Sequence, residues 1–244
     1  MNAVLYTASG AGPHPTLLLI HGLPGNEENL DLAQAVRRAG WNVLTYHPRG
    51  SWGSEGSFSV ANTVLDARAA LTFLRDPANV KYRIDPDRIA VAGHSMGGYD
   101  AASLARSDHH LLGVVLIDAW GVALPKTPLP EGWSQSIENR YQAINRYRLK
   151  VDSLEGFVAE MIRIETQEPV ISFAHDLTDR PCLIVAGEDP EKTNGVENHQ
   201  LANILASSGA PRSKAVFMST DHFFSDHRIE LISVVVDWLK VLVN

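Results

Sequence analysis

Ser95 stands in Gly93-His94-Ser95-Met96-Gly97, directly after the apolar run Ile89-Ala90-Val91-Ala92 and before a stretch of small residues. A serine hydroxyl attacks a carbonyl only when its backbone is held tightly and a base stands beside it. A G-x-S-x-G sequence between a strand and a helix meets the first need: glycines two residues either side of the serine remove side chains that would clash across a sharp bend. Ser95 then projects from the top of a sheet, at the start of a helix opening near Met96, whose free N–H groups favour negative charge. Gly98 sits where that helix must approach the sheet closely.

The remaining parts of an acyl-transfer site have candidates in the order serine, carboxylate, histidine. The expected base is His222, in Ser219-Thr220-Asp221-His222-Phe223-Phe224, just beyond the apolar run Ala215–Met218. His227, five residues on, is the second histidine in that region. The carboxylate that orients the base is expected from Gly187-Glu188-Asp189-Pro190, with Asp189 first and Glu188 second. Asp118, at the end of the preceding strand, is the third candidate. Two backbone N–H groups are expected to hold the oxyanion, those of Met96 and of Leu23 in His21-Gly22-Leu23-Pro24-Gly25. Pro24 has no N–H and cannot serve.

These positions make sense only if the elements between them form a parallel sheet with its C-terminal edge as the site. Short apolar runs alternate with helical patterns, as in α/β folds with helices on both faces. Strands are expected at Val4–Tyr6, Thr16–Ile20, Asn42–Tyr46, Ile89–Ala92, Gly113–Ile117, Cys182–Ala186 and Ala215–Met218. Leu30–Ala39 reads as a helix stopped by Gly40, and Val60, Val64, Ala67, Leu71 and Leu74 mark an amphipathic helix ending before Pro77. Leu201, Ile204 and Leu205 mark another, and Ile232, Val235, Val236 and Leu239 the last.

About sixty residues separate Asp118 from Cys182, far more than joins a strand to its neighbour. Residues 119–181 are therefore read as an inserted helical lid, and 1–118 with 182–244 as the core of one domain. The insertion opens with a Pro-rich stretch from Pro125 to Pro130 and then reads helically through Ile137–Leu149 and Leu154–Ile164. Trp120, Trp133 and Tyr141 are its candidate substrate contacts, since a lid over the strand ends would cover the ligand. Its arginines, Arg140, Arg146, Arg148 and Arg163, read as solvated side chains.

Composition bounds the function. The 244 residues suffice for one α/β domain, and 45% hydrophobic with 20% charged residues is ordinary for a globular protein. A formal net charge of −7 argues against nucleic acid or an anionic membrane as partner. No apolar run reaches the ~18 residues of a membrane span. No basic stretch leading into an apolar one opens the chain, so a cytoplasmic location is the expectation. The one cysteine, Cys182, begins an apolar run and reads as a small buried hydrophobe. There is no H-E-x-x-H pattern and no Cys/His cluster with ligand spacing, so no metal or other cofactor is expected. His109-His110 reads as a solvated pair.

On the G-H-S-M-G turn and the His21-Gly22 loop the chain resembles the α/β-hydrolase superfamily over nearly its whole length. His47-Pro48-Arg49-Gly50-Ser51-Trp52-Gly53-Ser54-Glu55-Gly56 is similar to the family's R-G-x-G-x-S-x-G loop, which buttresses the oxyanion region. Ile84-Asp85-Pro86-Asp87-Arg88-Ile89 and Gly97-Gly98-Tyr99 resemble the hydrolase domains of prolyl-oligopeptidase-type and esterase-like members. The resemblance implies a mostly parallel sheet of six to seven strands, trimmed at its start, and a serine hydrolase acting on carboxylic esters of small to medium, partly apolar substrates. The spacing after Gly187 is one residue shorter than the frequent G-x-x-D, which leaves Glu188 and Asp189 both open. An aminopeptidase or amidase, an acyltransferase with the same residues, and a ligand-binding protein without turnover are the alternatives. The partner is a small-molecule ester, and the protein is a monomer or homodimer.

Overall fold

The computed structural model describes residues 1–121, 149–189, 195–210 and 212–243. Its seven strands are β1 (Asn2–Tyr6), β2 (His14–Ile20), β3 (Asn42–His47), β4 (Ile84–His94), β5 (Val114–Ile117), β6 (Cys182–Gly187) and β7 (Lys214–Met218). They form one sheet in the order β1-β3-β2-β4-β5-β6-β7. β1 runs antiparallel to β3, and every other pair is parallel. The α-helices are α1 (Leu30–Arg38), α2 (Val60–Arg75), α3 (Met96–Ser107), α4 (Leu154–Gln167), α5 (Gly195–Ser207) and α6 (Arg228–Val243). The seven expected strands are present, and β4 alone departs clearly. It starts at Ile84 rather than Ile89, because Ile84 pairs with His14 ahead of an irregularity between His14 and Thr16.

Continuous apolar strands are the signature of a sheet covered on both faces, and alternate residues divide between two cores. Leu18, Ile20, Val91, Leu116 and Ile184 pack with α2, α3, α4 and α5 on one face. Leu17, Leu19, Ala90, Ala92, Val115, Ile117 and Val185 pack with α1 and α6 on the other. Cys182 is buried in the first of these cores, and burial pushes its thiol up to about 12. It is a packing residue.

The described residues between Asp118 and Cys182 dock on the first face. Phe157 of α4 meets Phe58 with ring centroids 5.7 Å apart. Glu160 of α4 accepts hydrogen bonds from the Val60 and Ala61 N–H groups, at 2.8 and 2.7 Å. A carboxylate from one helix thus satisfies the free N–H groups that open α2, where negative charge is favourable. The backbone of Lys150 also exchanges hydrogen bonds with Gly50 and Phe58. The expected helix over 137–149, the Pro-rich stretch, Trp133, Tyr141, Arg140, Arg146 and Arg148 lie outside the described residues, Leu149 excepted.

Candidate active site

Ser95 joins β4 to α3 with φ 55° and ψ −120°. This backbone conformation costs a non-glycine residue on the order of 1–3 kcal/mol and persists only where the surroundings enforce it. Here they do. A Cβ on Gly93 would stand 1.9 Å from the Gly97 carbonyl oxygen, and one on Gly97 would stand 2.3 Å from that of Ile20. The Ser95 N–H donates to the Ile117 carbonyl at 3.0 Å, and the Ser95 carbonyl accepts from the Trp120 N–H at 2.9 Å. The bend is therefore tied to β5 and to the residues just after it.

His222 follows β7 in a loop folded against this bend. Its backbone carbonyl lies 2.8 Å from Nε2 of the buried His94, so that nitrogen carries the proton and donates. The two rings are 4.7 Å apart between centroids. On the far side, Arg228 donates to the Phe223 carbonyl at 3.0 Å and reaches Asn29 and Asp31 at the start of α1. The histidine loop is thus held from both sides.

The carboxylate hydrogen-bonded to His222 Nδ1 is Asp118. The expectation ranked Asp189 first and Glu188 second; the structure places the third candidate, Asp118, against His222. Sheet order explains the outcome: β5 lies next to β4, so Asp118 leaves its strand beside the Ser95 bend. Its N–H is fixed to the Val185 carbonyl at 2.7 Å, its φ is 39°, and it is fully buried. Glu188, after β6, is exposed, and Oε1 lies 3.4 Å from His199 Nε2 on α5. Asp189 is part-exposed, with its N–H directed to the Thr220 carbonyl at 3.4 Å. His227 pairs with Asp226 at 2.9 Å, away from this arrangement.

The loop after β2 crosses Ser95 closely. A Cβ on Gly22 would stand 2.8 Å from the Ser95 Cβ and 3.1 Å from the His94 carbonyl oxygen. Leu23 follows immediately, and Met96 opens α3, where backbone N–H groups have no partner within the helix. The loop over 47–56 surrounds this segment. Trp52 Nε1 donates to the Pro24 carbonyl at 2.6 Å, while Arg49 is locked to the buried Asp66 through its Nε at 2.7 Å. Trp120, an expected substrate contact, is buried edge-on against Tyr99, and its Nε1 donates to Glu165 of α4. It fastens α4 to the core. Among the described residues, Phe223 and Trp52, by contrast, are exposed aromatics of the loops around Ser95.

His94 and His21 were given no side-chain role by sequence reasoning, although both stand inside the motifs it singled out. Burial, the largest cause in each case, pushes His94 down to about 3 and His21 to about 4. Both rings are therefore neutral near pH 7 and act as fixed donor–acceptor groups. Among the described residues no group of three or more His, Cys, Asp or Glu could hold a metal ion.

Comparison with known proteins agrees with this architecture. The chain is 36% identical over 101 residues to an uncharacterised protein of Mycobacterium tuberculosis, a match covering 41% of this chain and 34% of that protein. It is 31% identical over 108 residues to the lysophosphatidylserine lipase ABHD12 of Danio rerio, covering 43% of this chain and 27% of that one. These matches span about a third or less of the relatives' own length. The structure of Est1E from Butyrivibrio proteoclasticus with ferulic acid bound superposes with a TM-score of 0.68 at 16% identity, covering 99% of this chain and 95% of that one. The profile of the alpha/beta hydrolase family matches residues 17–233, nearly the full length over which the sheet, the strained serine and the histidine loop are built. The chain belongs to the alpha/beta hydrolase family.

Proposed function

We propose that this protein is a serine hydrolase that cleaves carboxylic esters through an acyl-enzyme on Ser95. His222 Nε2 takes the proton from Ser95 Oγ as Oγ attacks the carbonyl carbon. Asp118 holds the Nδ1 proton, and so the tautomer that leaves Nε2 free as a base. The Leu23 and Met96 N–H groups receive the oxyanion, an interaction worth roughly 3 kcal/mol per donor where one has been removed from such a site. When the tetrahedral adduct collapses, the alkoxide leaves with the proton from His222, and water repeats the sequence to release the acid.

The observation that carries this reading is the buried Asp118 carboxylate against His222 Nδ1, with the His222 backbone held to the Ser95 bend by His94. A protein that only bound a ligand would have no physical need of that pairing beside a strained serine. Exposed Phe223 and Trp52 on the flanking loops favour a partly apolar acyl or aryl group. A relative named as a lysophosphatidylserine lipase, and a structural neighbour that holds ferulic acid, are in keeping with ester chemistry. Residues 119–181 serve in this reading as the lid over the strand ends, with the small-molecule ester beneath it and the protein in the cytoplasm.

The test is hydrolysis of p-nitrophenyl esters from acetate to decanoate, beside aminoacyl-p-nitroanilides, by wild type and Ser95→Ala. Ester turnover absent from the variant supports the reading. Preference for the anilides would move the activity to amide cleavage, and equal rates for both proteins would refute it.

A further inference from the structure

His21 and His47 are neighbours across the sheet. β2 and β3 are parallel with Leu19 opposite Thr45, so the same register continued by two residues brings His21 opposite His47 at the C-terminal edge. His21 Nδ1 lies 2.8 Å from the carbonyl oxygen of Gly22, and His47 Nδ1 lies 3.2 Å from His21 Nε2. His47 Nε2 is in turn 3.7 Å from a Glu28 carboxylate oxygen.

Proton placement along this row is fixed by chemistry. A carbonyl can only accept, so His21 carries its proton on Nδ1 and leaves Nε2 as an acceptor. The proton between the two rings then belongs to His47 Nδ1. His21 is 5% exposed and, held down to about 4 by burial, has no second proton to offer at neutral pH. The far end, His47 and Glu28, is part-exposed.

The Gly22–Leu23 peptide is trans, so its C=O and N–H point in opposite directions. Fixing the Gly22 oxygen therefore fixes the direction of the Leu23 N–H. The Pro24 oxygen is held too, by Trp52 Nε1. Gly25 allows this crowding, since a Cβ there would stand 2.6 Å from Trp52 Nε1 and 2.8 Å from His21 Cε1.

We propose that His47 and His21 form a positioning relay that aims the Leu23 N–H at the developing oxyanion by holding the Gly22 carbonyl. His47 is the positioning residue: its N–H gives the His21 Nε2 lone pair a partner and so reinforces the tautomer and ring orientation in which Nδ1 donates to the Gly22 carbonyl. Without that N–H the buried Nε2 loses its partner, the ring gains a competing tautomer and orientation, and the Gly22–Leu23 peptide plane can rotate. The inference rests on the serine-hydrolase reading of Ser95 and Leu23 given above.

The test compares His47→Leu, which removes the donor, with His47→Asn, whose amide can present an N–H near the Nδ1 position. The readouts are kcat and KM on the preferred p-nitrophenyl ester and inhibition by an alkyl trifluoromethyl ketone, whose adduct carries an oxyanion. His47→Leu is expected to lower kcat about tenfold, less than outright removal of a donor because the N–H is misdirected rather than lost. KM should change less than twofold, and ketone affinity should fall in step with kcat. His47→Asn should return kcat to within about threefold of wild type. His47→Ala carries the same comparison if the leucine variant folds poorly by circular dichroism. A variant lacking the donor whose kcat stays within twofold of wild type, a loss confined to KM, or a loss that asparagine does not restore would overturn the relay. If Ser95→Ala hydrolyses as fast as wild type the underlying reading fails instead; an inactive Ser95→Ala beside a fully active His47→Leu sinks the relay alone.

Discussion

Replacing Asp118 with asparagine changes one buried atom and probes the pairing on which the proposed chemistry depends. Asp118 is fully buried, and its carboxylate meets His222 Nδ1. Asparagine preserves the shape but removes the charge that stabilises the imidazolium formed as Ser95 gives up its proton. A buried hydrogen bond to a charged group is worth about 1.5–3 kcal/mol, or roughly 10- to 150-fold in rate. A second loss adds to it. The amide can turn its NH2 toward Nδ1, which moves the imidazole proton to Nε2 and removes the base; in a comparable triad the combined effect reaches about 10⁴. We therefore expect kcat/KM of Asp118→Asn to fall about 10²- to 10⁴-fold in an ester assay at pH 7.5, with the thermal midpoint shifted only a few degrees. Asp189→Asn, in the same assay, should stay within about threefold of wild type. An Asp118→Asn enzyme within fivefold of wild type, or a larger loss in Asp189→Asn, would refute the reasoning.

Two further outcomes concern stability. His94 and His21 have folded-state values of about 3 and about 4 against 6.5 for an unperturbed histidine, so below pH 6.5 the unfolded chain binds protons that the folded one does not. Their contribution is complete above pH 6.5 and is lost as pH falls toward 4, with a slope of about 1.4 kcal/mol per pH unit for each group; urea midpoints measured from pH 7 to 4.5 should fall accordingly, and His94→Gln should remove about half of that slope. Asp100 is the opposite case, since burial first, and then the nearby Asp66 and Glu160, hold its carboxyl well above the usual range. Thr63 Oγ1 lies 2.8 Å from the Val60 carbonyl oxygen and 2.9 Å from Asp100 Oδ1, and one hydroxyl proton cannot serve both. A protonated Asp100 that donates to Thr63 resolves this. The unfolded chain ionises first as pH rises above about 3.8, so Asp100 makes the fold less stable with rising pH. Asp100→Asn, which can donate in the same way, should leave the fold unharmed at pH 5 and progressively favour it toward pH 8 in the same urea titrations. Destabilisation growing with pH would contradict this.

Most of the fold was legible because parallel strands buried on both faces are written as short apolar runs, and Leu17–Ile20, Ile89–Ala92 and Cys182–Val185 carry almost nothing else. The start of β4 was not, since Asp85, Pro86 and Asp87 break the apolar pattern where the strand extends beyond the core. The sharp bend at Ser95 was legible from its glycines, whose missing side chains leave room for the Ile20 and Gly97 carbonyls. The carboxylate was harder. Glu188–Asp189 and Asp118 both stand just past buried strands, and only the adjacency of β5 to β4 and the direction of the Asp118 carboxylate separate them. His94 and Arg228 were missed for a related reason: each acts on a backbone carbonyl of another loop, and no residue pattern marks which carbonyl a side chain will reach.

Acyl transfer through Ser95 requires a covalent bond at that residue, and intact-mass spectrometry detects it. Incubation with a slowly deacylating p-nitrophenyl ester, followed by acid quenching and peptide mapping, should show one acyl group per chain on the peptide containing Ser95, absent from Ser95→Ala and slow to form in Asp118→Asn. Rapid ester turnover with no acyl mass, or an acyl group mapped to another residue in both wild type and Ser95→Ala, would contradict the account.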